Sequence, residues 1–139
     1  VEGAESWERF SKAYEARFGE APQPGFYQAE TYDAVILAAL AAAAAKANTG
    51  EGIDGQLFSV SRDGEKVFSF ADGVKAFGEG KDIDYDGASG PLNFLPTGEA
   101  PADIQIWCVT PASAVEPFAN VGFYRAATST LDGTLACPP

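Results

Sequence analysis

The run Asp82-Ile83-Asp84-Tyr85-Asp86-Gly87 has the most suggestive spacing in the chain. Carboxylates at positions 1, 3 and 5 and a glycine at 6 begin a calcium loop, in which hard oxygen donors converge on one cation and glycine makes the sharp turn. The remainder departs from that pattern. Position 8 holds Ser89 where an apolar residue belongs, and position 12 holds Asn93 where a bidentate glutamate would be the strongest ligand. The segment therefore reads as an acidic loop entering a Gly-Ala-Ser-Gly turn, with Asp86 or Ser89 bonded to nearby backbone. A calcium-stabilised interaction module is the alternative it leaves open.

Other chemistry is poorly supplied. Glu30 and Asp33 are a carboxylate pair three residues apart, but at the start of a helix such charges favour the positive end of the helix dipole without any catalytic duty. Ser89 lies in Ala-Ser-Gly-Pro instead of a nucleophile elbow, and the chain has no histidine to activate it. That absence also removes imidazole ligands and the usual pH switch. Gly78-Glu79-Gly80-Lys81 lacks the spacing of a phosphate loop. No motif supports an enzyme, and no metal or cofactor is expected. The two cysteines, Cys108 and Cys137, are too few for a zinc site and read as one disulfide or two free thiols. A ligand pocket needs aromatic walls with a few polar groups, and Phe26-Tyr27-Gln28-Ala29-Glu30-Thr31-Tyr32 is the densest such cluster. The same residues also suit a core at a helix start.

The elements that must carry these groups follow from periodicity. Trp7, Phe10, Tyr14 and Phe18 recur at helical steps, so Ser6 to Phe18 reads as an amphipathic helix with Ser6 as N-cap and Gly19 as terminator. Phe26 to Ala47 is a second, alanine-rich helix with Glu30 and Asp33 early, Lys46 late, and Asn48, Thr49 and Gly50 ending it. Asp54 and Asp72 are expected to cap two short helices, and Lys66 to Phe70 between them reads equally as a strand or an extended link. Leu92-Asn93-Phe94 is a strand candidate. Asp103 to Thr110, apolar on both faces, is expected to be an interior strand. Pro111 to Pro139 reads as loops with a short strand near Val121 to Arg125.

Composition sets the bounds. With 20 acidic and 9 basic residues the net charge is −11, which repels phosphate backbones and anionic lipid, so no nucleic-acid partner is expected. The longest run without a polar side chain, Ala34 to Ala45, is 12 residues, too short to span a bilayer. The N-terminus opens with acids and Trp7 and shows no signal peptide, so the chain is expected to be cytoplasmic or already processed.

Three segments resemble, in order and spacing, the periplasmic substrate-binding proteins of branched-chain amino-acid transporters. Phe10-Ser11-Lys12-Ala13-Tyr14-Glu15-Ala16-Arg17-Phe18-Gly19 followed by Pro22 is similar to that family's F-x-x-x-Y-x-x-R-[FY]-G-x-x-P segment. Glu30-Thr31-Tyr32-Asp33-Ala34-Val35 is similar to its A-Y-D-A-V signature. Gly80 to Leu92 is similar to a G-x-x-I-x-Y-x-G-A-S-G-x-x stretch, with Tyr85 to Gly90 the most specific part. The family usually has Asp after the position of Phe94, where this chain has Leu95.

The resemblance implies an α/β chain, part of a type I periplasmic-binding-protein fold, with layered helices on a mostly parallel sheet and a short β-hairpin region near 90–110. Residues 1–102 would complete one lobe, and 103–139 would be a strand and tail crossing to the second. It implies a fragment of an extracytoplasmic, periplasmic solute-binding component of an ABC importer. An amino-acid-like ligand would bind in the interlobe cleft, and the transporter's membrane subunits would be the protein partners. A ligand-sensing receptor domain of the same fold is the nearest alternative. In the family an aromatic shortly before the Y-D-A motif lines the cleft; counting back gives Tyr27, with Phe26 and Glu30 as neighbours. A separated fragment would expose apolar surface meant for its missing half and is expected to self-associate.

Overall fold

A computed structural model describes residues 5–23, 27–109, 118–126 and 128–137. The chain divides into two units, Val1–Ala100 and Pro101–Pro139. The expected boundary between 102 and 103 lies two residues further on. Among the described residues no helix is long and apolar enough to cross a membrane.

The first unit opens with α1 (Glu5–Phe18), whose aromatic residues stack along one side: Trp7 to Phe10 at 5.8 Å, Phe10 to Tyr14 at 5.7 Å and Tyr14 to Phe18 at 4.6 Å. Gly19 ends the helix with φ of 79°, and its N–H donates to Glu15 O. Ser6 does not cap. It lies inside the helix, buried, because its hydroxyl is committed to a distant backbone carbonyl, that of Gly87.

α2 (Gln28–Ala45) closes at Lys46, which takes the left-handed conformation instead of acting as a last-turn cation. The expected caps of the next two helices shift upstream. Thr49 caps α3 (Gly50–Val60) by accepting from Gly52 N–H, leaving Asp54 inside the helix. Ser69 caps α4 (Phe70–Gly78), accepting from Asp72 N–H at 3.1 Å and donating to the Asp72 carboxylate at 2.7 Å. In both, a hydroxyl three residues ahead of an unpaired N–H reaches it from outside the helix, which a side chain already within the helix cannot do.

Of the segment that sequence leaves open, Lys66 and Val67 fall in strand β1 (Glu65–Val67) and Phe70 in α4; β1 pairs in parallel with β2 (Ile83–Gly87) across the α4 crossover. β2 turns through Ala88 and Ser89 into β3 (Gly90–Pro91), antiparallel, giving the order β1-β2-β3. The unit is therefore α/β with one βαβ step, but its sheet is half parallel and half antiparallel, not mostly parallel. Leu37, Leu40 and Ala41 of α2, Val60 of α3, Ala76 of α4 and Val67, Ile83 and Tyr85 of the sheet form the core. Leu92 to Phe94 is not a strand: Leu92 and Phe94 pack against this core, and Phe94 N–H donates to Ser61 Oγ.

The second unit is an antiparallel sheet, β4 (Ile104–Val109), β5 (Phe118–Arg125) and β6 (Thr130–Gly133), in that order. The expected hairpin region near 90–110 is thus replaced by antiparallel pairs of 83–87 with 90–91, and of 118–125 with 104–109 and with 130–133. β5 is longer than the short strand expected, and β6 lies where loops are expected; residues 110–117 of the tail lie outside the described residues. β4 is not interior. Ile104, Trp107 and Val109 are exposed on this three-stranded sheet. One face is partly covered: Leu135 N–H donates to Val121 O, and Cys108 and Cys137 are joined by a disulfide with Cα atoms 5.7 Å apart.

Candidate functional site

The densest polar cluster in the first unit is assembled where α1, the first turns of α2 and the tip of the β2–β3 hairpin meet. At its centre is Asp33, only 1% exposed. Its Oδ1 accepts from Tyr85 Oη at 2.9 Å and Ala88 N–H at 2.8 Å, and its Oδ2 accepts from Ser89 N–H and Ser89 Oγ, both at 2.6 Å. Four donors on two oxygens offset the cost of burying the carboxylate. Asp33 is thus no surface charge serving the helix dipole. It joins the Tyr32-Asp33-Ala34 segment to the Tyr85–Ser89 segment, 52 to 56 residues away.

The surrounding residues are shaped to this contact. A Cβ on Gly87 would lie 2.3 Å from Asp33 Oδ2, so only glycine fits. Ser6 of α1 donates to Gly87 O at 2.7 Å, and Phe10, Ala29 and Ala88 pack together beside it. Burial, then the neighbouring Asp33 carboxylate, pushes the Tyr85 phenol well above the ordinary tyrosine range. Ser89 is no nucleophile, its hydroxyl being held on Asp33.

The acidic run does not form a cation loop. Strand alternation turns Ile83 and Tyr85 into the core and sets Asp84 and Asp86 on the other face. Lys66 Nζ lies 2.9 Å from Asp84 Oδ2 and 2.9 Å from Asp86 Oδ1. Partial burial opposes the Lys66 charge, but hydrogen bonds to Asp84 and Asp86 prevail and raise its pKa. Asp82 instead accepts from Ile83 N–H. Among the described residues no group of three acidic, cysteine or histidine side chains is arranged to hold a metal.

Of the expected ligand residues, Tyr27 and Glu30 are brought together on the first turn of α2, and both are exposed; Phe26 lies outside the described residues. Tyr27 is 72% exposed and left-handed, with φ 54° and ψ 25°. For a bulky non-glycine residue that conformation is strained and clusters at functional positions. It is held by Thr31, whose N–H and Oγ1 both donate to Tyr27 O, at 2.9 and 2.7 Å. Gln28, which donates to Tyr14 Oη and accepts from Gln23 N–H, braces the same corner. Through Asp33, this turn is fixed to the residues that follow β2, at the carboxyl end of the parallel strand pair. Open α/β sheets bind ligands at that end.

No family model, curated protein or solved structure matches the chain.

Proposed function

We propose that this chain is part of an extracytoplasmic solute-binding protein of the type I periplasmic-binding-protein fold. It serves an ABC importer, captures an amino acid or related small polar molecule in a cleft between two lobes, and does no covalent chemistry. The observation that carries the reading is Tyr27, a solvent-exposed aromatic held in a strained left-handed backbone at the carboxyl end of the parallel strands. Support also comes from Asp33, which ties together two of the three segments on which the resemblance to branched-chain amino-acid binding proteins rests. Ligand binding closes the lobes by hinge motion, and the closed form is what the transporter's membrane subunits recognise.

The test is thermal melting of the natural protein containing this chain, in the presence of leucine, isoleucine, valine and a panel of other amino acids and amides. A ligand that binds only the folded state raises the melting temperature in a concentration-dependent way. An upward shift with at least one member is expected. Melting unmoved by every member would overturn the reading.

A further inference from the structure

We propose that Gln28 is a positioning residue, setting the left-handed backbone of Tyr27 and through it the affinity of the site; this rests on the solute-binding reading of Tyr27 and adds what holds the ring in place. Tyr27 is the N-cap of α2, and an N-cap residue ordinarily takes extended backbone and caps with its own side chain. Tyr27 does neither: its φ is 54°, its ψ 25°, and its side chain makes no capping bond. For a bulky L-residue that conformation persists only where the surroundings impose it. Thr31 holds the Tyr27 carbonyl, but an N-cap carbonyl accepts from its helix in extended backbone too, so these bonds do not choose the sign of φ. What is left to fix is the direction from which the chain reaches Tyr27.

Gln28 supplies it. Its Oε1 accepts from Gln23 N–H at 2.8 Å, and its Nε2 donates to Tyr14 Oη at 3.0 Å. The two amide atoms cannot be exchanged, because a backbone N–H only donates and so must face the oxygen. One side chain thus ties the backbone five residues upstream, and the aromatic row of α1, to the first residue of α2. Gln23 is thereby held against the helix that begins one residue after Tyr27. The anchor on α1 is firm: Tyr14 lies between Phe18, at 4.6 Å, and Phe10, at 5.7 Å, and Phe10 is buried. A glutamate at position 28 would keep both contacts, since Tyr14 Oη donates as readily as it accepts, whereas an unbranched apolar residue would keep neither. Gln28 needs no contact with solute in this role, because it acts through Tyr27.

The test has two readouts. In the full chain labelled with carbon-13 at tyrosine Cα, whose shift follows φ and ψ, the Tyr27 resonance is identified by its loss in Tyr27→Phe. It is expected to move in Gln28→Met and, by less, in Tyr14→Phe, and to stay in place in Gln28→Glu, with circular dichroism unchanged in all three. The natural protein containing this chain is then titrated calorimetrically with leucine, or with whichever amino acid raises its melting temperature most. Affinity is expected to weaken about fivefold or more in Gln28→Met, to return in Gln28→Glu, and to weaken no further when Gln28→Met is added to Tyr27→Ala. A Tyr27 resonance unmoved in Gln28→Met would overturn the proposal. So would a loss of affinity from Gln28→Met that is undiminished in the Tyr27→Ala background, the mark of a residue acting independently of Tyr27. Native affinity in Tyr27→Ala, with the resonance still moved by Gln28→Met, would instead remove the solute-binding role of Tyr27 and leave the clamp standing.

Discussion

Two oxygens of Asp33 receive four donors, so an amide there would set its NH₂ group against N–H or O–H donors whichever way it turned. Asp33→Asn is therefore expected to cost more than a lost charge, on the order of 3 kcal/mol in urea denaturation, as for other broken buried networks. Tyr85→Phe removes one donor and is expected to cost about 1 to 2 kcal/mol. It has a second signature. The Tyr85 phenol has its pKa raised in the fold, so the unfolded chain ionises first as pH rises past the ordinary tyrosine value of about 10. Stability is fully present below that pH and falls above it, and Tyr85→Phe should flatten this alkaline limb of the stability profile. Asp33 was legible in part: with Leu37, Leu40 and Ala41 it lies on one helical stripe, and a carboxylate within an apolar stripe is a buried one. Its donors were not legible, since they come from a hairpin more than 50 residues away. The left-handed backbone of Tyr27 has no signal in residue type at all.

Helix caps are the clearest test at the scale of elements. Ser69→Ala and Thr49→Ala each remove a side-chain acceptor from an unpaired N–H and should cost about 1 kcal/mol. Asp54→Ala, within α3, should change stability by a few tenths. Thermal or urea melts of the three variants decide which residues cap. The long helices α1 and α2 were readable from periodicity and alanine content. The caps were not, because Thr49 and Asp54, or Ser69 and Asp72, are equally good capping types a few residues apart and only backbone geometry chooses between them. β1 was ambiguous for a related reason: three residues become a strand only through pairing with β2, which lies beyond an entire helix. β4 misled through its composition. Apolar residues on both faces normally mean burial, but here one face carries the tail and the other stays open.

For the whole molecule, the division into an α/β unit and a small antiparallel unit makes each depend on different bonds. The second has few buried side chains, and the disulfide between Cys108 and Cys137 closes a separation of 29 residues, worth about 3 to 4 kcal/mol in the chain-entropy picture. Reduction is expected to speed amide exchange throughout β4, β5 and β6, read by mass spectrometry, while the core strands β1 and β2 keep their protection. The central claim concerns the other unit, where Tyr27 stands exposed on a turn anchored by Asp33. The measurement that bears on it most directly is calorimetric titration of the natural protein and its Tyr27→Ala variant with the amino acid that stabilises it most. The account predicts affinity weakened about tenfold, close to 1.4 kcal/mol, with the fold intact; affinity unchanged in the variant would contradict it.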